Sequence, residues 1–190
     1  MIERQFAQLM ECMDEPIRIT TQRLEAIALY PELARAAVVD RDKLSRMLNA
    51  KVPDEFPPES MADVMEYFAQ RLEADPNLVG WWGWYLVRHE PGRERVLIGT
   101  AGFNGYPDQD GNLLMGYAVL SSYEGQGYAT EAVGGLLKWA FQHPQVMAVT
   151  AETFPEHKAS IRVMEKNNMV FLGAGSEEGT VKYGIRRVTT

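Results

Sequence analysis

Glu124-Gly125-Gln126-Gly127-Tyr128-Ala129-Thr130-Glu131-Ala132 is the stretch that decides how this chain is read. It follows a segment of strand character, 112–120, and precedes one in which Val133, Leu136, Leu137, Ala140 and Phe141 recur at helical spacing until Pro144. Glycines therefore turn a strand into a helix here. At such a junction the first N–H groups of the helix lack partners, and the helix dipole adds roughly half a positive charge, so the site suits a phosphate or pyrophosphate. A Cβ at the glycines would hold such a ligand away from the amides. The same residues also fit a glycine-rich turn that only links strand to helix. Neither familiar nucleotide loop is present: Gly-x-x-x-x-Gly-Lys-Ser/Thr is absent and Gly-x-Gly-x-x-Gly is not matched.

Upstream, runs rich in Val, Trp, Tyr and Ile at about 78–88, 95–104 and 112–120 are separated by Pro91-Gly92 and by Pro107 to Gly111. These short connections predict an antiparallel meander. Alternation along the first run places Trp82 and Trp84 on one face and Trp81 and Tyr85 on the other. Earlier still, Ile17 to Thr20 and Leu24 to Leu29 read as extended, and Pro31 to Leu48 as helical. Lys51 to Pro58 reads as a linker, and a capping box at Ser60 and Asp63 opens a helix bearing Met61, Val64, Met65, Phe68 and Leu72. Met1 to Asp14, with Phe6, Leu9, Met10 and Met13 on one stripe, predicts an amphipathic N-terminal element over 1–15, ahead of a single domain over 16–190. Its apolar stripe either caps the domain or meets a second subunit. Downstream follow a strand at 146–153, a helix at 156–166 closed by Asn167-Asn168, and strands at 169–173 and 180–188.

The composition supports one domain: 190 residues, 46% hydrophobic and 24% charged. The lone Cys12 excludes a disulfide scaffold, and with only His89, His143 and His157 a Cys/His metal cluster is not expected. A net charge of −7 makes nucleic acid a poor partner. The longest weakly polar run, Leu78 to Val87, is too short for a membrane span. Glu3 and Arg4 interrupt any export signal, so a cytoplasmic location is expected.

The glycine stretch resembles the acyl-CoA pyrophosphate loop, Gln/Arg-x-x-Gly-x-Gly/Ala, of the GNAT N-acetyltransferases, and Gly-Gln-Gly-Tyr-Ala-Thr-Glu-Ala resembles their RimJ/RimL-like branch. A second segment, Ala151-Glu152-Thr153-Phe154-Pro155-Glu156-His157-Lys158-Ala159-Ser160-Ile161-Arg162-Val163-Met164-Glu165-Lys166-Asn167-Asn168-Met169, resembles that branch's Asn-x-x-Ser-x-x-x-x-Glu-Lys-x-Gly-Phe helix. The resemblance covers about 17–188. It implies one α/β (α+β) domain whose mixed, mostly antiparallel sheet is flanked by helices, with the strand at 115–120 splayed from that at 146–153. It implies acetyl-CoA as co-substrate, no metal, and direct transfer to a primary amine on a protein N-terminus or a small molecule, by a monomer or homodimer.

The implied cofactor contacts are Glu124, Gly125, Gln126, Gly127, Tyr128, Ala129 and Thr130 at the pyrophosphate, the backbone of Tyr117, Ala118 and Val119 along the pantetheine arm, and His157 and Ser160 from the second motif. Three residues depart from the pattern: Glu124 replaces Gln or Arg, His157 replaces Asn, and Asn168 replaces Gly. The first two keep a second reading open, an acyl-CoA-binding regulatory or sequestering protein without turnover. An unrelated nucleotide-phosphate binder would leave the second motif unexplained. Amine acetylation requires a neutral amine, so Glu152 is read as a candidate base and Tyr183 as a candidate acid for the departing thiolate. Glu152 is equally consistent with a salt-bridged strand carboxylate, and Tyr183 with a buried strand tyrosine. Asn104 and Tyr106, ending a strand, are read as acceptor contacts.

Overall fold

In a computed structural model, which describes residues 16–57 and 64–188, eight strands form one mixed sheet in the order β1-β2-β3-β4-β5-β6-β8-β7. β1 (Arg18–Thr20), β2 (Leu24–Ala28), β3 (Gly83–Arg88), β4 (Val96–Phe103) and β5 (Asn112–Val119) are antiparallel neighbours. β6 (Ala148–Thr153) lies parallel to β5, and β8 (Val181–Arg186) and β7 (Val170–Ala174) complete the sheet antiparallel. Among the described residues five helices flank it: α1 (Pro31–Val39), α2 (Arg41–Leu48), α3 (Met65–Ala74), α4 (Tyr128–Ala140) and α5 (Lys158–Lys166). The parallel pair needs a crossover, and α4 supplies it.

Two apolar clusters sandwich the sheet. Trp84, Leu86, Ile98, Leu113 and Met115 meet Val133, Leu136 and Ala140 of α4 and Met164 of α5. On the opposite face Ile27, Tyr85, Val87 and Leu97 lie among Leu33, Leu44, Leu48, Ala69 and Leu72 of α1 to α3. Burial on both faces accounts for the nearly unbroken apolar runs of β3 and β4.

The expected meander, the crossover helix and the terminal strands are present, with three differences of detail. Pro31 to Leu48 is two helices, because Asp40 leaves the helical region (φ −153°, ψ 90°) and its carboxylate accepts from the Lys43 N–H at 2.9 Å to cap α2. The strand expected from 78 begins only at Gly83, since Pro76–Leu78 is a 3₁₀ turn and Gly80 has φ +86°. Alternation therefore does not run through the tryptophans: Trp81 joins Trp84 in one cluster and Trp82 joins Tyr85 in the other. The expected N-terminal helix and the Ser60 to Asp63 capping box lie outside the described residues.

The feature that positions the site is where pairing stops. β5 and β6 pair only at Asn112↔Ala148, Leu113↔Val149 and Leu114↔Thr150. From Met115 onward β5 pairs with β4 alone, and from Ala151 onward β6 pairs with β8 alone. The two strands splay into a V whose open end faces the glycine loop.

Candidate functional site

β5 leads through the 3₁₀ turn Ser121–Tyr123 into the loop, where Gly125 (φ +71°) and Gly127 (φ +83°) take left-handed conformations before α4 starts at Tyr128. Glutamate, glycines and Gln126 are exposed from 124 to 127, whereas Tyr128 is buried. Among the described residues none of the backbone N–H groups from Gly125 to Thr130 meets an acceptor. They form a run of donors at a helix N-terminus, as the sequence predicts.

Other parts of the loop are tied down. The Gln126 side-chain amide donates to the Ser122 carbonyl at 3.3 Å, and its own carbonyl accepts from Arg23 at 2.9 Å. Glu131, in the first turn of α4, accepts from Thr21 Oγ1, the Arg23 N–H and Arg23 Nε at 2.6–2.7 Å. Burial alone would raise the Glu131 pKa, but these donors outweigh it and hold the carboxyl below its usual range. Thr130 is half-buried, and its carbonyl accepts from Asn167 at the end of α5 at 3.1 Å. Glu124 is exposed and has no side-chain partner among the described residues.

Along the V, alternation decides which backbone groups are available. The Leu120 N–H donates to the Ile98 carbonyl and the Asn104 N–H to the Leu114 carbonyl, so even-numbered residues of β5 bond β4. The backbone groups of Tyr117 and Val119 then face the opening. Ala118 is corrected by this register: its backbone belongs to β4, opposite Thr100. Tyr117 Oη donates to the Ser160 carbonyl and lies 3.0 Å from Ser160 Oγ, so two predicted cofactor residues meet across the V. His157 is the exposed N-cap residue of α5, with Nδ1 3.4 Å from Thr153 Oγ1.

Glu152 is committed elsewhere. Its Oε2 accepts from the Ser176 N–H and hydroxyl, both at 2.7 Å, and its Oε1 pairs with Lys182 Nζ at 3.0 Å. Burial works to raise its pKa, but the bonds from Ser176 and Lys182 prevail and leave it lowered. Such a carboxylate is a weaker proton acceptor than a free one. It braces the β7–β8 turn. Tyr183, opposite Ala151 on β8, packs its ring 5.6 Å from that of Phe171, one strand removed from the opening. Tyr106 sits 6.0 Å from Trp81, itself 5.0 Å from Trp139 near the C-terminus of α4. That is the helix end opposite the loop, about 18 Å away for 13 residues. Asn104 is exposed beside Leu114, near the closed end of the V. The structure does not bring Asn104 and Tyr106 to the glycine loop.

Arg23 and Glu131 escape sequence reasoning as a pair because 108 positions separate them. Among the described residues no cluster of three or more His, Cys, Asp or Glu could hold a metal ion, and no helix is long and apolar enough to cross a membrane.

The sequence profile of the acetyltransferase (GNAT) domain matches residues 23–170. A Bacillus subtilis (strain 168) relative described as an uncharacterized N-acetyltransferase, YjdG, is 25% identical over 150 residues, covering 79% of this chain and 88% of that protein. The Vibrio fischeri ribosomal-protein-S5-alanine acetyltransferase shares the fold at TM-score 0.62 and 16% identity, over 90% of this chain and 96% of that one. The RimL ribosomal L7/L12 alpha-N-protein acetyltransferase, solved with coenzyme A, does so at TM-score 0.62 and 15% identity, over 90% and 98% of the two chains.

Proposed function

The chain belongs to the acetyltransferase (GNAT) family, and from that membership we propose that it transfers the acetyl group of acetyl-CoA directly to a primary amine, as a member of the RimJ/RimL-like branch its motifs resemble. The observation that carries the reading is the run of N–H groups from Gly125 to Thr130, unpaired among the described residues, at the mouth of the β5–β6 V. Those amides suit a pyrophosphate, and the free backbone groups of Tyr117 and Val119 suit an amide-containing arm laid along β5 as an added strand. Bound acetyl-CoA supplies an activated thioester carbonyl; the chain supplies position and proton handling.

The attacking amine must be neutral. A protein α-amine with pKa about 8 is neutral roughly one time in ten at pH 7, and a lysine roughly once in 2,500. With Glu152 held in its brace, the chain is better suited to an acceptor that loses its proton to water, which favours an N-terminal α-amine over a lysine. Small-molecule amines of low pKa satisfy the same condition. Glu152 then acts by fixing the β7–β8 turn that borders the opening. Tyr183 Oη, which meets no acceptor among the described residues, is proposed to protonate the leaving thiolate, and Tyr183→Phe tests it.

Release of free thiol from acetyl-CoA, with and without a panel of peptides bearing free N-termini and of small amines, tests the reading. Amine-dependent release is the expected result. Exposed Glu124 beside the unpaired amides favours the second reading, acyl-CoA binding without turnover, and CoA binding with no release from any amine would select it.

A further inference from the structure

Gln126 lies between two glycines in left-handed conformations, and a peptide unit flanked by glycine reorients at little steric cost. Something must choose its direction if the Gly127 N–H is to meet a ligand. Arg23, in the turn between β1 and β2, is placed to do so. Its Nη1 donates to the Gln126 carbonyl at 2.9 Å, its Nε donates to Glu131 Oε2 at 2.7 Å, and its backbone N–H donates to Glu131 Oε1 at 2.7 Å. The guanidinium also lies 4.6 Å from the centroid of the Tyr128 ring, whose hydroxyl donates to Glu90 Oε1 at 2.9 Å.

The turn that carries Arg23 is itself fixed. Its carbonyl accepts from the His89 N–H at 3.0 Å, and Thr21 Oγ1 donates to Glu131 at 2.6 Å. Because the Gln126–Gly127 peptide is trans, its C=O and the following N–H point in opposite directions. Holding the Gln126 oxygen on Arg23 therefore turns the Gly127 N–H away from the β1–β2 turn.

We infer that Arg23 is a positioning residue for the pyrophosphate loop: clamped by Glu131 and stacked on Tyr128, it fixes the Gln126 peptide so that the Gly127 N–H is presented to the phosphates. This rests on the acetyl-CoA reading above. A lysine could pair with Glu131 but lacks the planar fork that reaches a second acceptor at the same time.

The test titrates the full chain and its Arg23→Met, Arg23→Lys and Glu131→Gln variants with CoA and, separately, with pantetheine at millimolar concentration, alongside near-UV circular dichroism to verify folding. Arg23→Met is expected to weaken CoA binding by roughly ten- to hundredfold, the effect of losing a charge-assisted hydrogen bond, while pantetheine, which has no phosphate, binds as before. Arg23→Lys should recover part of the loss and Glu131→Gln should weaken CoA less than Arg23→Met. The dependence of CoA affinity on salt should keep its slope, since a positioning residue neutralises no phosphate. Unchanged CoA affinity in folded Arg23→Met, an equal loss for pantetheine, or a shallower salt slope would each overturn the inference, the last by making Arg23 a direct phosphate contact. Failure of the unsubstituted chain to bind CoA would instead overturn the acetyl-CoA reading on which it rests.

Discussion

The glycine loop at the open end of the V and the β7–β8 hairpin beyond β6 are built from different materials. At the glycine loop the groups offered to solvent are backbone amides, and the helix turn behind them is fixed through Glu131 by Thr21 and Arg23, 110 and 108 positions away from it. At the β7–β8 hairpin, side chains form the surface: Glu152 ties Ser176 to Lys182, and Val170, Phe171 and Leu172 stand 55–62% exposed. A site made of amides keeps its chemistry when side chains around it change, so the Glu124 and His157 departures leave the run of donors in place. A surface made of side chains changes its chemistry with each substitution. Under the proposed reading, donor binding rests on the first region, and the second is the more changeable surface.

The strongest way to break the loop side is to add atoms to it. Gly127 has φ +83°, and a Cβ there would lie 3.5 Å from Arg23 Nη2. Gly127→Val places a β-branched residue in a conformation it strongly disfavours and sets its side chain against the guanidinium that orders the loop. CoA affinity is expected to fall by at least about a hundredfold, more than the loss of a single charge-assisted hydrogen bond, with the near-UV spectrum retained. Gly125→Ala is the milder comparison: a Cβ at Gly125 would meet no protein atom within 4 Å, so it adds left-handed strain of about 1–2 kcal/mol and one methyl group beside the amides, and CoA affinity should fall less. Equal losses from the two would show that backbone conformation alone matters.

Legibility in the sequence follows the same division. The loop was readable because its glycines, its helix start and its missing partners lie in one string, and the splay followed from two strings that each match a motif. Arg23 was not readable, because nothing local marks a turn arginine as the partner of a glutamate more than a hundred residues on. The break at Asp40 was written in a residue that caps better than it propagates. The tryptophans misled because alternation is informative only inside a strand, and Gly80 turns the chain before β3 begins. Glu152 was visible as a strand carboxylate, but Ser176 and Lys182 decide what it does, and they reach it through tertiary structure.

Glu152→Gln sharpens the hairpin side. Glutamine still accepts from Ser176 but loses the ion pair with Lys182, so the folded state should lose about 1–3 kcal/mol, a fall of a few degrees in Tm. If Glu152 is a brace, turnover on a given amine falls by the same factor at every pH. A defect that shrinks as pH rises and the amine deprotonates unaided would restore Glu152 as the base.

Acid should act on both regions at once. Glu131 and Glu152 each have a folded pKa below the ordinary 4.5, so the unfolded chain binds more protons than the folded one as pH falls. Each group's stabilisation is present above 4.5 and is lost as pH drops through the folded pKa. Thermal unfolding should therefore show Tm falling below about pH 5, and the Glu131→Gln and Glu152→Gln variants should each fall less steeply there. A variant with the full native slope would show that its carboxylate contributes nothing to the acid limb.

The smallest effect is expected at Glu124, and it separates the two kinds of charge near the loop. Glu124 is exposed and pairs with nothing among the described residues, whereas Glu131 holds Arg23. Glu124→Gln removes a negative charge near the proposed phosphate site without changing shape. In solvent such a repulsion is worth only a few tenths of a kcal/mol to about 1, so CoA should bind about two- to fivefold more tightly at low ionic strength. The gain should fade as salt shortens the screening length to about 8 Å at physiological strength and less above it. The identical exchange of Glu for Gln at position 131 should have the opposite sign, because there the carboxylate organises the donors instead of opposing the ligand. Tighter binding from both substitutions would mean that the loop responds to net charge alone, and the braced-backbone account of the glycine loop would fail.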